Sequence, residues 1–124
     1  MNILLDTHSF YWILTNSRQL SQKARVSFTS AKQIFIPAIV LLELLYLLEK
    51  KKENKKFDHI LRRLLKDERY VVVSLDTATV QEVVKTSARL EMHDRIIVAS
   101  AKLLDASLIT KDRVIRKYYK HTIW

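Results

Sequence analysis

The sequence predicts an α/β fold, a central and mainly parallel sheet covered by helices on both faces. Three observations carry that reading. Short apolar runs alternate along the chain with longer stretches of helical periodicity. The short runs are apolar throughout rather than at every second residue, as in strands buried on both faces. No Pro/Gly/Ser-rich linker and no internal repeat interrupts the 124 residues, so one domain is expected over 1–124.

Ile3-Leu4-Leu5 is the first buried strand, and Asp6 ends it. Thr7 to Leu14 then reads as a helix. Ser21, a good N-cap, opens a second helix that runs to about Ala31. Ile34-Phe35-Ile36 is the next strand. Pro37 suits a first helical turn, where a missing N–H costs nothing, and the helix Pro37–Lys50 follows. Lys50 to Lys56 is a charged, solvated turn. Phe57, Ile60, Leu61, Leu64 and Leu65 recur at helical spacing, which predicts an amphipathic helix over Asn54–Asp67. Tyr70-Val71-Val72-Val73 is a β-branched strand. Asp76 caps a helix from Thr77 to about Arg89, and Asp94 to Leu104 is another helix. Leu108-Ile109 is a short strand, Arg113 to Tyr118 a short helix, and Thr122-Ile123-Trp124 an edge strand.

Composition removes several classes of function. There is no cysteine, hence no disulfide scaffold, no thiolate zinc site and no cysteine nucleophile, a pattern that fits the cytoplasm. There is no glycine either. A Walker A loop, a dinucleotide fingerprint and a nucleophile elbow each need one, because the backbone must turn tightly or approach a phosphate closely. Phosphate chemistry here must rely on side chains, a metal or helix N-termini. The net charge of +9, from 22 Lys+Arg against 13 Asp+Glu, attracts polyanions, nucleic acid being the usual one. The apolar stretch Ile36–Leu48 contains Glu43 and falls short of the roughly 20 residues a membrane span needs. Asp6 interrupts the N-terminal apolar run, and no basic segment precedes it, so no signal peptide is expected.

Ligands of open α/β sheets bind beyond the carboxyl ends of the strands. Asp6 follows the first strand directly, and Asp112 lies just past Leu108-Ile109. Asp94 opens a helix, whose dipole favours a carboxylate there. Glu43 stands inside a helix that is apolar nearly all round, and a buried carboxylate needs a cation, a hydrogen-bond partner or a raised pKa. Each also has a purely structural reading: strand-end cap for Asp6, helix-start acid for Asp94, turn residue for Asp112, Arg-paired or solvated side chain for Glu43. Chemistry becomes the better explanation if the four converge, which spacing does not show. Converging carboxylates repel, and a divalent metal resolves the conflict. All-oxygen ligands favour Mg²⁺ or Mn²⁺ over zinc, and such an ion suits phosphodiester hydrolysis.

The opening Asp6-Thr7-His8, the mid-helix Glu43, the run His93-Asp94-Arg95-Ile96-Ile97-Val98-Ala99-Ser100-Ala101 and the late Leu108-Ile109-Thr110-Lys111-Asp112 resemble the four acidic motifs of PIN domains. Most similar are the VapC-type toxins of bacterial and archaeal toxin–antitoxin pairs. The resemblance runs through the whole chain and includes Trp124. It implies a three-layer α/β/α fold and a metal-dependent endoribonuclease acting on single-stranded RNA or RNA loops with Mg²⁺ or Mn²⁺. It implies hydrolysis by metal-activated water, leaving a 5′-phosphate. Asp6, Glu43, Asp94 and Asp112 then take the metal-site roles, with Asp6 and Asp94 the firmest ligands, while Thr7 and Thr110 hold carboxylates or a water. A cognate antitoxin, received between the third and fourth helices, and a homodimer are implied as partners. Two stretches depart from the family pattern: Pro37-Ala38-Ile39 where a Ser or Thr often precedes the helix Glu, and Asp105-Ala106-Ser107 where a Gly commonly precedes the last strand. The other class of function compatible with the sequence is a PIN-like module that binds RNA or protein without cutting.

Lys111, Arg113, Arg116 and Lys117, with Lys120, adjoin the expected site and are candidates for RNA contact. The Lys50–Lys56 run with Arg62, Arg63 and Lys66 reads either as an RNA-binding face or as a solvated turn and outer helix face. Tyr118 and Tyr119 read as base-stacking or as packing residues. His8 and His93 neighbour expected ligands and read as proton carriers or as positioning residues.

Overall fold

The computed structural model describes residues 1–124. Five parallel strands form one sheet in the order β3-β2-β1-β4-β5. In chain order the elements are β1 (Asn2–Leu5), α1 (Thr7–Leu14), α2 (Gln22–Ser30), β2 (Gln33–Pro37), α3 (Ala38–Lys50) and α4 (Lys56–Lys66). They continue with β3 (Tyr70–Val73), α5 (Thr77–Lys85), α6 (Met92–Leu103), β4 (Ser107–Ile109), α7 (Arg113–Tyr118) and β5 (Thr122–Ile123). The α/β expectation holds, with a sheet that is wholly parallel and flanked by helices. No helix is long and apolar enough to cross a membrane.

The apolar runs that marked the strands become the centre of the core. Ile3, Leu4, Leu5, Ile34, Ile36, Leu108 and Ile109 are fully inaccessible to solvent. From the helices, Phe10, Val40, Leu44, Ile97 and Ile115 pack onto them. Burying an aliphatic or aromatic side chain of this size contributes about 1.5–3 kcal/mol, so the central strands β1, β2 and β4 anchor the fold. β3 and β5 are edges, and β3 shows it: Val72 is exposed.

Four element boundaries differ from the sequence reading. Pro37 is not in a first helical turn. It ends β2 opposite Val73, with extended backbone, and stands just before α3. Its missing N–H is harmless there because β1 pairs only as far as Phe35. Helix α4 begins at Lys56 rather than Asn54, since Lys52 has φ 57 and Glu53 and Asn54 make the turn that re-aims the chain.

The other two differences share one cause. Helix α5 stops at Lys85 rather than Arg89, and α6 starts at Met92 rather than Asp94. Between them Ser87 Oγ accepts from the Arg89 N–H, and the Leu90 N–H donates to the Ser87 carbonyl. The same turn recurs at Ser17, which accepts from Gln19 and whose carbonyl binds the Leu20 N–H. Both turns drive a leucine, Leu20 or Leu90, into the core immediately before a helix. The side chain of Arg95 then ties α6 back to α5 through the Val83 carbonyl at 3.0 Å.

A chain without glycine must place left-handed backbone elsewhere. Three residues carry it: Asn16, Lys52 and Asp105, with φ of 50, 57 and 49. Asn and Asp tolerate this region, whereas a long side chain such as Lys does so at a cost of about 1 kcal/mol. Asp105 occupies the stretch before β4 where a Gly was the family expectation, so the turn is kept by a residue that can adopt it.

Candidate active site

The order of the sheet fixes where a cleft can form. From β1 the chain builds outward through β2 and β3, then crosses back to lay β4 and β5 on the opposite side. At such a reversal the connections leave in opposite directions, and a crevice opens at the strand ends. The strands concerned are β1 and β4, and their register sets Leu5 beside Ile109. The residues emerging from these two ends are Asp6 and the run Thr110-Lys111-Asp112.

Asp6 is both a helix cap and a wall of this crevice. Its Oδ1 accepts from the Ser9 N–H at 2.9 Å, closing the first turn of α1. Ser9 in turn donates through its hydroxyl to the Ile109 carbonyl at 3.0 Å, which joins α1 to β4. Burial pushes the Asp6 carboxyl above its ordinary range, against the lowering effect of hydrogen bonds from Thr110 and Ser9. Thr110 is fully buried, and its hydroxyl also accepts from the Asp112 N–H at 3.1 Å. Asp112 caps α7, taking the Val114 and Ile115 N–H groups on Oδ1 at 2.8 and 3.2 Å.

Glu43 reaches the same place from α3. The sequence demanded a partner for it, and the structure supplies two. The Thr7 hydroxyl donates to Oε1 at 2.8 Å, and Nδ1 of His93 lies 3.3 Å from Oε2. Its side chain is 30% exposed, so it is not stranded in an apolar interior. Glu43 thereby links α3 to the starts of α1 and α6.

Asp94 sits in the first turn of α6. Its pKa is pushed up to about 6, first by burial and then by the negative charges of Asp112, Glu91, Glu43 and Asp6. Asp94 thus feels the charge of the other three expected acids, with burial the larger influence.

One cavity of about 890 Å³ opens at this point. Asp6, Glu43, Asp94 and Asp112 all line it, together with Thr7 and Lys111. Thr110 lies behind Asp6 rather than on the wall, and Arg113, Arg116 and Lys117 project from α7 outside the lining. Tyr119 packs in the core with its hydroxyl on the Ala106 carbonyl at 2.7 Å, and Tyr118 packs against the core edge. Most of the Lys50–Lys56 run faces solvent, with Lys56 bridged to Glu53, and Arg62 is bridged to Asp58. Lys50 alone of that run reaches the cavity.

Glu91 is a wall residue that the sequence reading passed over. Starting α6 at Asp94 left Glu91 in a loop, whereas it is the residue just before the helix. The available signal was its position three residues before Asp94, which on a helix start puts the two carboxylates on one side.

Whether these residues suit a divalent cation can be judged from their chemistry. The donors are all carboxylate oxygens, the ligands that hard cations take, and Asp94, raised by burial first and by neighbouring carboxylates second, is a group that a bound cation would favour in its charged form. As the side chains stand, no three His, Asp or Glu groups are gathered tightly enough to enclose an ion. Mg²⁺ does not require that, since it keeps several waters and is commonly held by one or two carboxylates. The donor set therefore fits a hydrated Mg²⁺ or Mn²⁺ and not a fully protein-enclosed one.

Comparison with known proteins bears on the chain as a whole. The model of the PIN domain family matches residues 3–121. Ribonuclease VapC22 of Mycobacterium tuberculosis (strain ATCC 25618 / H37Rv) is 28% identical over 128 residues, covering 98% of each chain. The toxin–antitoxin complex from Klebsiella pneumoniae contains a chain that superposes with a TM-score of 0.73 at 17% identity, over 98% of this chain and 96% of that one. The Mycobacterium tuberculosis VapC20, a sarcin–ricin loop cleaving toxin, superposes with a TM-score of 0.72 at 13% identity, over 93% of each chain. At these identities the two structural matches speak for the fold.

Proposed function

We propose, from the premise that this chain belongs to the PIN domain family, that it is a metal-dependent endoribonuclease and the toxin of a toxin–antitoxin pair. The observation that carries the reading is the meeting of Asp6, Glu43, Asp94 and Asp112 on one cavity at the reversal point of the sheet. Full-length similarity to a protein named ribonuclease supports the substrate class. The positive net charge supports it too, with Lys50 and Lys111 on the cavity wall beside the acids.

The proposed roles follow from the geometry. Asp6, Asp94, Asp112 and Glu43 would hold Mg²⁺ or Mn²⁺. When bound, the cation supplies the acidity that makes water a nucleophile at neutral pH and the charge that stabilises the leaving oxygen. Asp6 is the rigid member, fixed from behind by Ser9 and β4. Thr7 orients the Glu43 carboxylate, leaving its second oxygen to His93 and the cavity. His93 is exposed and can carry a proton between this carboxylate and solvent. Lys111, on the wall beside Asp112, offers an ammonium to a backbone phosphate, and Arg113, Arg116 and Lys117 extend that positive surface outside the cleft.

An antitoxin partner belongs to the proposal because the Klebsiella pneumoniae structure is a toxin–antitoxin complex. The homodimer rests on the family resemblance. The test is cleavage of structured and unstructured RNAs by the purified chain with Mg²⁺, with Mn²⁺ and with a chelator. Cleavage that needs the ion and disappears in Asp6→Asn supports the reading. RNA binding with no ion-dependent cleavage would instead establish a non-catalytic binding module.

A further inference from the structure

The acids leave two aromatic side chains of the cavity wall without a task. Along α3, residues 39, 43, 46 and 50 fall on one helix face, and all four line the cavity: Ile39, Glu43, Tyr46 and Lys50. Tyr46 is 60% exposed. Lys50 reaches over it, with Nζ 4.5 Å from the ring centre. A second pair of the same kind lies on the wall near Asp112. There Nζ of Lys111 stands 5.7 Å from the ring centre of Trp12. Trp12 is held in place by Trp124 at 5.6 Å and His8 at 5.7 Å between centroids.

Each pair combines a flat apolar face with an ammonium one side chain away. An exposed cation–ring contact is worth about 0.5–1 kcal/mol, less than the roughly 1–3 kcal/mol of a base stacked on an aromatic ring. A base therefore displaces the lysine from the ring face, and the freed ammonium meets the phosphate that comes with the base. A duplex cannot present its bases in this way, because their faces are already stacked.

On the nuclease reading given above, we infer that Tyr46–Lys50 and Trp12–Lys111 are two nucleotide subsites of the cleft, each taking one unpaired base on its ring and the adjoining phosphate on its lysine. They flank the acids without reading base edges, so the chain selects unpaired RNA more than it selects sequence. Tyr46 is the member to test, since its exposure makes a folding defect on truncation small, whereas Trp12 is part of an aromatic stack.

The test uses the full chain carrying Asp6→Asn, with Mg²⁺ present, and an unstructured oligouridylate bearing a single 2-aminopurine. Stacking quenches that probe. Adding Tyr46→Ala is expected to weaken binding roughly tenfold and to abolish quenching at one probe position, while Tyr46→Phe restores both. Lys50→Gln is expected to reduce the slope of log affinity against log salt by about 0.7, the value for one phosphate contact on a single strand. The same sequence annealed to its complement is expected to bind weakly and to ignore Tyr46. Unchanged affinity and quenching in Tyr46→Ala, or equally tight binding of the duplex, overturns the inference. Cleavage assays on the wild-type chain separate the two readings. Cleavage with Tyr46-independent binding removes the subsites and keeps the nuclease, and Tyr46-dependent binding without cleavage does the reverse.

Discussion

The two halves of the cleft are built on different principles. The sheet side, at the ends of β1 and β4, holds Asp6 in a buried setting: it is 8% exposed, takes the Ser9 N–H, and has the buried hydroxyls of Ser9 and Thr110 against it. The helical side, on α3 and the start of α6, holds Glu43 by two side chains, the Thr7 hydroxyl and the exposed imidazole of His93. A carboxylate fixed by a helix-cap amide and by buried neighbours keeps its place whatever enters the cleft. One held by rotatable side chains can follow a substrate. The contrast assigns the sheet side to defining the centre and the helical side to accommodating what binds there, and each assignment can be broken separately.

The largest effect is expected on the sheet side. Asp6→Asn keeps the helix cap, because Asn caps as well as Asp, and removes one negative oxygen. Metal-dependent RNA cleavage is expected to fall by more than about a hundredfold, beyond the effect typical of residues that merely support a ligand, with little change in thermal stability. A Tm drop comparable to that of Asp6→Ala would show that the cap and the charge are not separable there.

On the helical side, Thr7→Ala releases Glu43 without touching its charge. Cleavage is expected to drop by about tenfold, with Thr7→Ser recovering most of it. Loss as deep as that of Asp6→Asn would erase the distinction between the halves, since the helical carboxylate would then be as constrained as the buried one.

A smaller effect is read as stability. The folded Asp94 carboxyl titrates at about 6 against an ordinary value of 3.8. The folded state thus holds a proton that the unfolded state has released, and without metal, stability falls as pH rises from about 4 to 6 and stays lowered above it. Asp94→Asn removes that penalty. Melting in a chelator is expected to show the variant more stable than wild type at pH 7, by on the order of 1 kcal/mol once solvent screening of a half-buried group is allowed for. The advantage should vanish below pH 4. An advantage that persists at low pH would assign it to packing rather than to the gathered charge.

The smallest effect lies outside both halves and serves as their control. Lys52→Gly relieves left-handed backbone at Lys52, partly offset by the greater freedom of glycine when unfolded. A gain of up to about 0.5 kcal/mol is expected, seen as a rise in Tm of roughly 2 °C at most, with cleavage unaltered.

The two halves were also unequally legible in the sequence. Asp6 and Asp112 could be placed because an apolar run ends directly at Asp6 and two residues short of Asp112, and strand ends are where α/β clefts form. Glu43 was conspicuous because it breaks an apolar helix, but its partners Thr7 and His93 come from elements that only the fold brings near. Glu91 was missed because the N-terminal boundary of α6 depends on the Ser87 turn, a local hydrogen-bond pattern with no hydrophobic period to announce it. Pro37 was misplaced for a related reason: proline before a helix is compatible with either the first turn or the residue ahead of it, and pairing with β3 decided the matter. The strands themselves were plain because a strand buried on both faces can afford few polar residues. The cation–ring pairs were invisible, since they depend on which way exposed side chains point.

The pairing of β1 with β4 has a consequence for biosynthesis. The Ser9 hydroxyl meets the Ile109 carbonyl across a separation of 100 residues, so that side of β1 stays unpaired until β4 has been made. Contacts of such long range form late and slowly in folding. A nascent chain that has produced only Asp6 and Glu43 has no β4 to close the crevice, and no Asp94 or Asp112 to complete it. The order of translation itself therefore keeps the four acids apart until Asp112 has been made, which leaves time for any partner that binds the emerging surface to arrive first.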